Sequence, residues 1–171
     1  MKKNLWTYLV VAIFIVVIAS LYVTSGGEKG TDIKANTSTS SASVLTATTE
    51  MFDFGTIMMQ DGNVEHEFMV ENLGEEPVVI SKVYTSCMCT QAMITSALGE
   101  QYGAFGMPGH GGSGKTNIIV PAGERIVVNA IFDPAAHGPA GVGKADRTVY
   151  LETNSTVEPK VQVHFTSTVA R

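Results

Sequence analysis

The sequence of 171 residues predicts an all-β protein, namely an immunoglobulin-like antiparallel β-sandwich of about seven strands preceded by one N-terminal transmembrane helix. Three observations lead to this prediction. Short runs of alternating apolar and polar residues recur along the chain, and turn residues separate them. No apolar repeat with the helical period of about 3.6 residues extends over ten positions after Val23. The mean hydropathy of +0.17 is high for a small soluble protein, which indicates an additional apolar segment.

That apolar segment lies at the N-terminus, where residues 5–23 read LWTYLVVAIFIVVIASLYV without a charge. Nineteen helical residues at about 1.5 Å each approach the roughly 30 Å hydrocarbon core of a bilayer. Lys2 and Lys3 precede the run, so the positive-inside rule keeps the N-terminus in the cytoplasm and exports the rest. We predict a single-pass signal anchor at residues 1–23 in the cell membrane. The alternative, a cleaved signal peptide, normally has a shorter apolar region of about 7 to 15 residues and a small-x-small site.

The rest of the chain divides by composition. Residues 24–45 are rich in Ser, Thr and Gly and predict a flexible tether. Residues 46–171 predict the extracytoplasmic sandwich, with a Gly-rich insertion of little regular structure at 91–116. Seven basic against fourteen acidic residues give the sandwich a charge of −7. This charge excludes the basic surface that a nucleic-acid partner requires.

The predicted strands are the β-rich runs between turn signals such as Asp61-Gly62-Asn63 and Pro121-Ala122-Gly123-Glu124. In the last run Val161, Val163 and Phe165 point one way and Gln162, His164 and Thr166 the other, as a half-buried antiparallel strand requires. The seven runs cover residues 48–54, 64–71, 77–85, 117–120, 125–132, 147–153 and 160–169.

Several short motifs occur in one order: Phe52-Asp53-Phe54-Gly55-Thr56-Ile57, Asn72-Leu73-Gly74, Ser86-Cys87-x-Cys89-Thr90, Phe132-Asp133-Pro134 and Thr153-Asn154. Together they resemble the bacterial family called domain of unknown function fifteen-seventy-three, over about residues 50–169. The resemblance implies an exported immunoglobulin-like sandwich related to Hydin-type domains, and it implies no established reaction. Met88 stands where the family has Gly between the cysteines, and the insertion at 91–116 also departs from its pattern.

Cys87 and Cys89 are the most reactive feature of the sequence. In an extended strand the Cα atoms of residues i and i+2 lie about 6.6 Å apart, near the upper limit for a disulfide. A Cys87–Cys89 disulfide therefore requires either strain or a turn of the backbone. Two thiolates on one face suit a soft metal such as Cu(I) or a redox-active dithiol. The alternative is a structural bridge or a buried thiol pair, as expected for an even cysteine count in an oxidising compartment.

Three further side chains could complete a metal site with Cys87 and Cys89, namely Met107, His110 and His137. Thiolate, thioether and imidazole ligands favour Cu(I) over Mg²⁺ or Ca²⁺, which prefer oxygen. Against this, methionine often fills cores, and both histidines sit among turn residues. No other cofactor is predicted. A Cys87–His137 nucleophile pair is conceivable because such partners need to meet only in space.

Gly109–Thr116 matches the phosphate-binding pattern G-x-x-x-x-G-K-[ST]. That chemistry needs a strand before the loop and a helix after it, so that backbone N–H groups converge on the phosphates. Here the string continues into Asn117-Ile118-Ile119-Val120-Pro121, a short β run stopped by proline. We therefore predict no nucleotide partner. The sequence has no Gly-x-Ser-x-Gly and no His-Glu-x-x-His motif, and it predicts no catalytic residue.

These observations favour a membrane-anchored extracytoplasmic domain with a non-enzymatic role, in which the sandwich binds a protein partner or takes part in assembly of the cell envelope. The alternative is a Cu(I)-binding or thiol-redox protein that uses Cys87 and Cys89.

Overall fold

The chain folds into two β-sheets in a computed structural model that describes residue 13, residues 40–110 and residues 114–171. Short 3-10 turns occur at Met59–Asp61 and Gly138–Gly141. The strands are β1 Leu45–Ala47, β2 Met51–Met58, β3 Val64–Asn72, β4 Val78–Thr85, β5 Thr90–Thr95, β6 Gln101–Phe105, β7 Lys115–Val120, β8 Arg125–Phe132, β9 Gly143–Thr153 and β10 Lys160–Ala170.

The first sheet has the order β1-β3-β8-β5-β6, and all of its pairs are antiparallel. The second has the order β2-β10-β9-β4-β7. Its pairs are antiparallel except for β2 with β10, where Met51 is the parallel partner of His164. The predicted all-β sandwich is confirmed. The described residues form ten strands instead of about seven, and one pair departs from the predicted antiparallel arrangement.

A continuous apolar core fills the space between the sheets. The alternation predicted for the last strand is confirmed, because Val161, Val163, Phe165 and Val169 of β10 are all buried. Full burial of one such side chain contributes roughly 1.5–3 kcal/mol. The largest fully buried side chains come from both sheets: Phe68, Phe165, Leu45, Ile80, Ile94, Ile118, Ile126 and Leu151.

The prediction missed three strands, β1, β5 and β6. The expectation of little regular structure in the insertion at 91–116 was wrong. Much of that segment forms the antiparallel pair β5–β6. In β5 the inward positions Thr90, Ala92 and Ile94 are fully buried, but Thr and Ala give little apolar contrast along the sequence. In β6, Gly103 allows close approach, since a Cβ there would lie 2.8 Å from the carbonyl oxygen of Ala92. Because small and polar residues form much of this hairpin, its strands give only a weak alternation signal in the sequence.

The N-terminal part of the sandwich includes residues that the predicted tether contained. Ser41 and Ser43 are buried, and the amide of Ser41 donates to the carbonyl of Asn154 at 2.9 Å. Ser41 therefore contacts the sandwich, although it lies ahead of the predicted boundary at residue 46. The predicted anchor at residues 1–23, except residue 13, and the tether up to residue 39 lie outside the described residues. Within the described part of the chain, no helix has the length and apolar character that crossing a membrane requires.

Candidate functional site

The cysteines lie in the turn that carries the chain from β4 in the second sheet to β5 in the first. The hydroxyl of Thr85 closes this turn by donating to the carbonyls of Cys87 at 3.0 Å and Thr90 at 2.9 Å. The amide of Thr90 also donates to the carbonyl of Cys87 at 3.1 Å. The Cα atoms of Cys87 and Cys89 are 5.3 Å apart, and a disulfide joins the two residues. The turn thus supplies the geometry that an extended strand could not.

The two sulfurs differ in exposure. Cys87 is half-buried, whereas Cys89 is only 2% exposed and belongs to the apolar core. Beside Cys89 and the exposed Met88, a cavity of about 120 Å³ opens, lined also by Asn63, Gln91, Ile131 and Asp133. The cavity borders Cys89, but Cys87 is the more exposed residue, so an external reagent reaches the sulfur of Cys87 more readily.

His137 comes to this pair from the segment after β8, where the chain crosses to β9 in the other sheet. The amide of Asp133 donates to the carbonyl of Cys89 at 2.9 Å, which fixes the start of the segment beside the cysteine turn. The Asp133 carboxylate accepts from the amide of Ala135 at 2.8 Å and shapes the following turn. The exposed His137 then lies with Nε2 3.2 Å from Sγ of Cys87. The ligand atoms of Cys87, Cys89 and His137 all lie within 4.8 Å of one another.

Met107 and His110, the other two predicted ligands, occupy the turn after β6. The amide of His110 donates to the carbonyl of Met107 at 3.1 Å, and the His110 side chain is exposed. His110 is outside the group formed by the cysteines and His137. The chain next to Met107 contacts β4, because the amide of Thr85 donates to the carbonyl of Gly106 at 3.2 Å.

Sequence reasoning missed Arg147, which lies on β9. Its Nε donates to Sγ of Cys89 at 3.0 Å, and its guanidinium carbon lies 5.9 Å from the ring centroid of Phe132. Residue 147 shares the inward-facing positions of β9 with Val149 and Leu151, both fully buried. The sequence did contain a signal for Arg147, because it occupies the same alternate positions as the buried residues of its strand. A charged side chain that faces the core requires a polar partner there.

The phosphate-loop pattern continues into a strand. Lys115 opens β7, which pairs antiparallel with β4, and the carbonyl of Gly114 accepts from the amide of Val83 at 2.7 Å. A phosphate-binding loop instead continues into a helix whose N-terminal amides face the phosphate.

The model of a family described as "Protein of unknown function (DUF1573)" matches residues 45–101. The family resemblance is confirmed over this range, which includes both cysteines. None of the curated proteins matches the sequence significantly.

Several solved structures are similar to the chain at low sequence identity. The crystal structure of a protein of unknown function from Porphyromonas gingivalis is 13% identical with a TM-score of 0.55, covering 77% of this chain and 49% of that one. The chain therefore spans about half the length of that protein. PapD-like domain 7 of human CEP192 is 14% identical with a TM-score of 0.43, covering 78% of this chain and 89% of that one. The periplasmic chaperone SfaE is 8% identical with a TM-score of 0.41, covering 75% of this chain and 59% of that one.

Proposed function

We propose that the protein is a membrane-anchored, extracytoplasmic sandwich domain whose Cys87–Cys89 pair is a thiol–disulfide redox centre. The main evidence for the redox role is the set of polar groups beside the two sulfurs. Each sulfur has its own polar partner, since His137 lies 3.2 Å from Sγ of Cys87 and Arg147 donates to Sγ of Cys89 at 3.0 Å. The thiolate is both the nucleophile and the leaving group of thiol–disulfide exchange, so groups that stabilise anionic sulfur are the ones that a redox pair needs.

The differing exposure of the two sulfurs supports the same role. A purely structural bridge needs no accessible sulfur, whereas exchange begins with attack on one sulfur by an external thiolate. The half-buried Cys87 meets this need beside the buried Cys89. An extracytoplasmic location, proposed from the apolar segment and from Lys2 and Lys3, is a compartment in which disulfides form and persist. The non-enzymatic binding role stays a prediction, and the chemistry of the site favours the redox alternative.

The redox proposal is tested on the full-length chain in detergent solution. The protein is equilibrated with mixtures of reduced and oxidised glutathione, free thiols are alkylated, and the alkylated fraction is measured by mass spectrometry. We expect both cysteines to titrate together as one two-electron couple. The variant Cys87→Ser/Cys89→Ser is the control and should bind no alkylating agent at any ratio. A disulfide that stays intact in excess reduced glutathione would contradict the proposal and leave a structural bridge.

A second candidate function, Cu(I) binding by the reduced protein, is favoured by the grouping of Cys87, Cys89 and His137 within 4.8 Å. Two thiolates and an imidazole are a soft ligand set that suits Cu(I). Cu(I) is titrated into the reduced full-length chain against a competing chelator. His137→Ala should weaken binding by at least about tenfold, because losing a ligand costs no less than losing the partner that orients one. His110→Ala, an exposed histidine outside the group, is the matched control. Equal affinities in these two variants would argue against the site.

A further inference from the structure

The half-buried Arg147 brings a positive charge to the edge of the core. Its NH1 donates to the carbonyl of the adjacent Asp146 at 2.8 Å, and its guanidinium approaches the ring of Phe132. Across the described ranges 40–110 and 114–171, the ion pairs join Lys82 to Glu152 and Arg125 to Glu71, and none includes Arg147. The contact from its Nε to Sγ of Cys89 is therefore the one that a negative charge on sulfur would strengthen.

We propose that Arg147 determines which sulfur of the disulfide is attacked in thiol–disulfide exchange. It makes Cys89 the leaving sulfur, so that an external thiolate attacks Cys87. This inference rests on the proposed redox function and assigns separate roles to its two cysteines. Arg147 is a positioning residue, because it acts through the Cys89 sulfur and not on the substrate. The substrate class is a pair of cysteine thiols in an exported peptide or protein.

In the first step a substrate thiolate attacks Sγ of Cys87. The new bond joins the substrate sulfur to Cys87, the Cys87–Cys89 bond breaks, and its electron pair leaves on Cys89 as a thiolate beside the Arg147 guanidinium. In the second step the other substrate thiolate attacks the substrate sulfur of the mixed disulfide, and Cys87 leaves as a thiolate. The substrate pair is oxidised by two electrons to a disulfide, and the protein pair is reduced by the same two electrons.

The surroundings of Cys87 suit the second step. Besides His137, the amide of Cys89 directs its N–H to Sγ of Cys87 at 3.4 Å. Backbone N–H and imidazole N–H groups stabilise a thiolate by charge-assisted hydrogen bonds. Neither partner of Cys87 carries the permanent charge that Arg147 brings to Cys89. The two sulfurs thus differ in the strength of their stabilisation as well as in exposure.

The test isolates each thiol in the full-length chain in detergent. In Cys87→Ser only Cys89 titrates, and in Cys89→Ser only Cys87 does. The far-ultraviolet absorbance of the thiolate is followed against pH in each variant, with and without Arg147→Met. We expect Arg147→Met to raise the titration midpoint of Cys89 by about one pH unit or more, because a cation within hydrogen-bond distance favours the charged form. The midpoint of Cys87 should stay unchanged.

Two further variants separate a charge effect from a folding defect. Arg147→Lys keeps the positive charge and should shift the Cys89 midpoint less than Arg147→Met does, whereas Arg125→Met, which removes an arginine paired with Glu71, should change neither midpoint. Equal shifts at both cysteines, or no shift at Cys89, would overturn the inference.

Acid quenching of the wild-type reaction with glutathione gives a second readout, in which the glutathione adduct should be on Cys87. An adduct on Cys89 would also overturn the inference. A wild-type disulfide that glutathione does not open at all refutes instead the proposed redox function.

Discussion

At the scale of single residues, Asn72 links three parts of the backbone from inside the core. Its side chain is fully buried, and its Nδ2 donates to the carbonyls of Glu76 at 2.8 Å and Val120 at 2.9 Å. Its Oδ1 accepts from the amide of Gly74 at 3.1 Å. Asn72→Ala leaves all three groups without this partner, so we expect a loss of about 3 kcal/mol in the free energy of unfolding, since each unmet buried group costs about 1–3 kcal/mol.

Denaturant unfolding of the full-length chain measures the effect of Asn72→Ala. Asn117→Ala, at an exposed position of β7, is the control and should change stability by no more than about 0.5 kcal/mol. Equal stabilities in the two variants would show that the buried amide does not hold these loops together.

His66 makes the stability of the sandwich depend on pH. Its ring stacks on Phe52 with centroids 3.6 Å apart and meets Phe68 edge to face at 4.7 Å. Burial lowers the pKa of His66 from its ordinary value of 6.5, and Glu67 opposes this in part. As the pH falls, the imidazole of His66 is therefore protonated in the unfolded chain before it is protonated in the folded one. The contribution of neutral His66 to the stability of the fold is complete above about pH 6.5, and it is lost as the pH falls from there toward the lowered pKa of the folded state.

Replacing His66 by Phe removes this titration, so the unfolding free energy of His66→Phe should fall less than that of the wild type between about pH 7 and pH 5. His110→Gln, at an exposed position, should follow the wild type. If the unfolding free energy of His66→Phe falls with pH as steeply as that of the wild type, the pH dependence arises from other groups.

The candidate site could be predicted from the sequence only in part. The spacing of Cys87 and Cys89 identified both sulfurs as reactive, and the chemistry of imidazole made His137 a candidate. The sequence could not separate His137 from His110, because Cys87 and His137 are 50 positions apart and only the fold brings them together. Arg147, 58 residues from Cys89, requires knowledge of which face of β9 points inward.

At the scale of elements, the segment before β1 is held to the loop after β3 by close packing and hydrogen bonds. The Ser43 hydroxyl accepts from the amide of Glu76 at 2.9 Å, and the Glu76 carboxylate accepts from the amide of Ala42 at 2.9 Å. A Cβ on Gly74 would collide with the backbone and side chain of Ser43. Gly74→Ala should displace this segment and cost about 1–3 kcal/mol, the usual penalty for overpacking.

Gly106→Ala is the matched control for Gly74→Ala, because a Cβ there has no neighbour within 4 Å. Besides unfolding measurements, limited proteolysis ahead of β1 should become faster in Gly74→Ala alone. If neither the proteolysis rate nor the unfolding free energy changes in Gly74→Ala, the segment before β1 accommodates the added methyl group without loss of stability.

Strands with strong apolar alternation were predictable, and those built from small or polar residues were not. Residues 125–132 were predicted with the bounds of β8, where Ile126, Val128 and Ala130 alternate with outward positions. The hairpin β5–β6 was missed because its pairing depends on close approach at Gly103 as much as on apolar side chains. Alternation reports burial on one face, and it gives no signal where backbone pairing and small residues make the strand.

At the scale of the whole molecule, the sandwich architecture creates the candidate site by crossing between sheets. The turn with Cys87 and Cys89 carries the chain from the second sheet to the first, and a later crossing back to the second sheet, from β8 to β9, contains His137. Both connections meet near the position of Arg147 on β9. Because each connection has one end in each sheet, the packing of the two sheets brings the side chains of both connections together.

The location of this site relative to the membrane leads to the last prediction. A single apolar anchor with Lys2 and Lys3 before it should export the C-terminus, so alkaline phosphatase fused after Arg171 should be active and should sediment with the membrane fraction of a bacterial host. Lys2→Glu/Lys3→Glu should lower the phosphatase activity by weakening the charge bias. Lys115→Glu/Lys144→Glu, the same charge change at exposed positions of the sandwich, should not lower it. Activity in the soluble fraction would favour a cleaved signal peptide, and an inactive fusion that accumulates would place the sandwich in the cytoplasm and oppose the proposed location of the redox site.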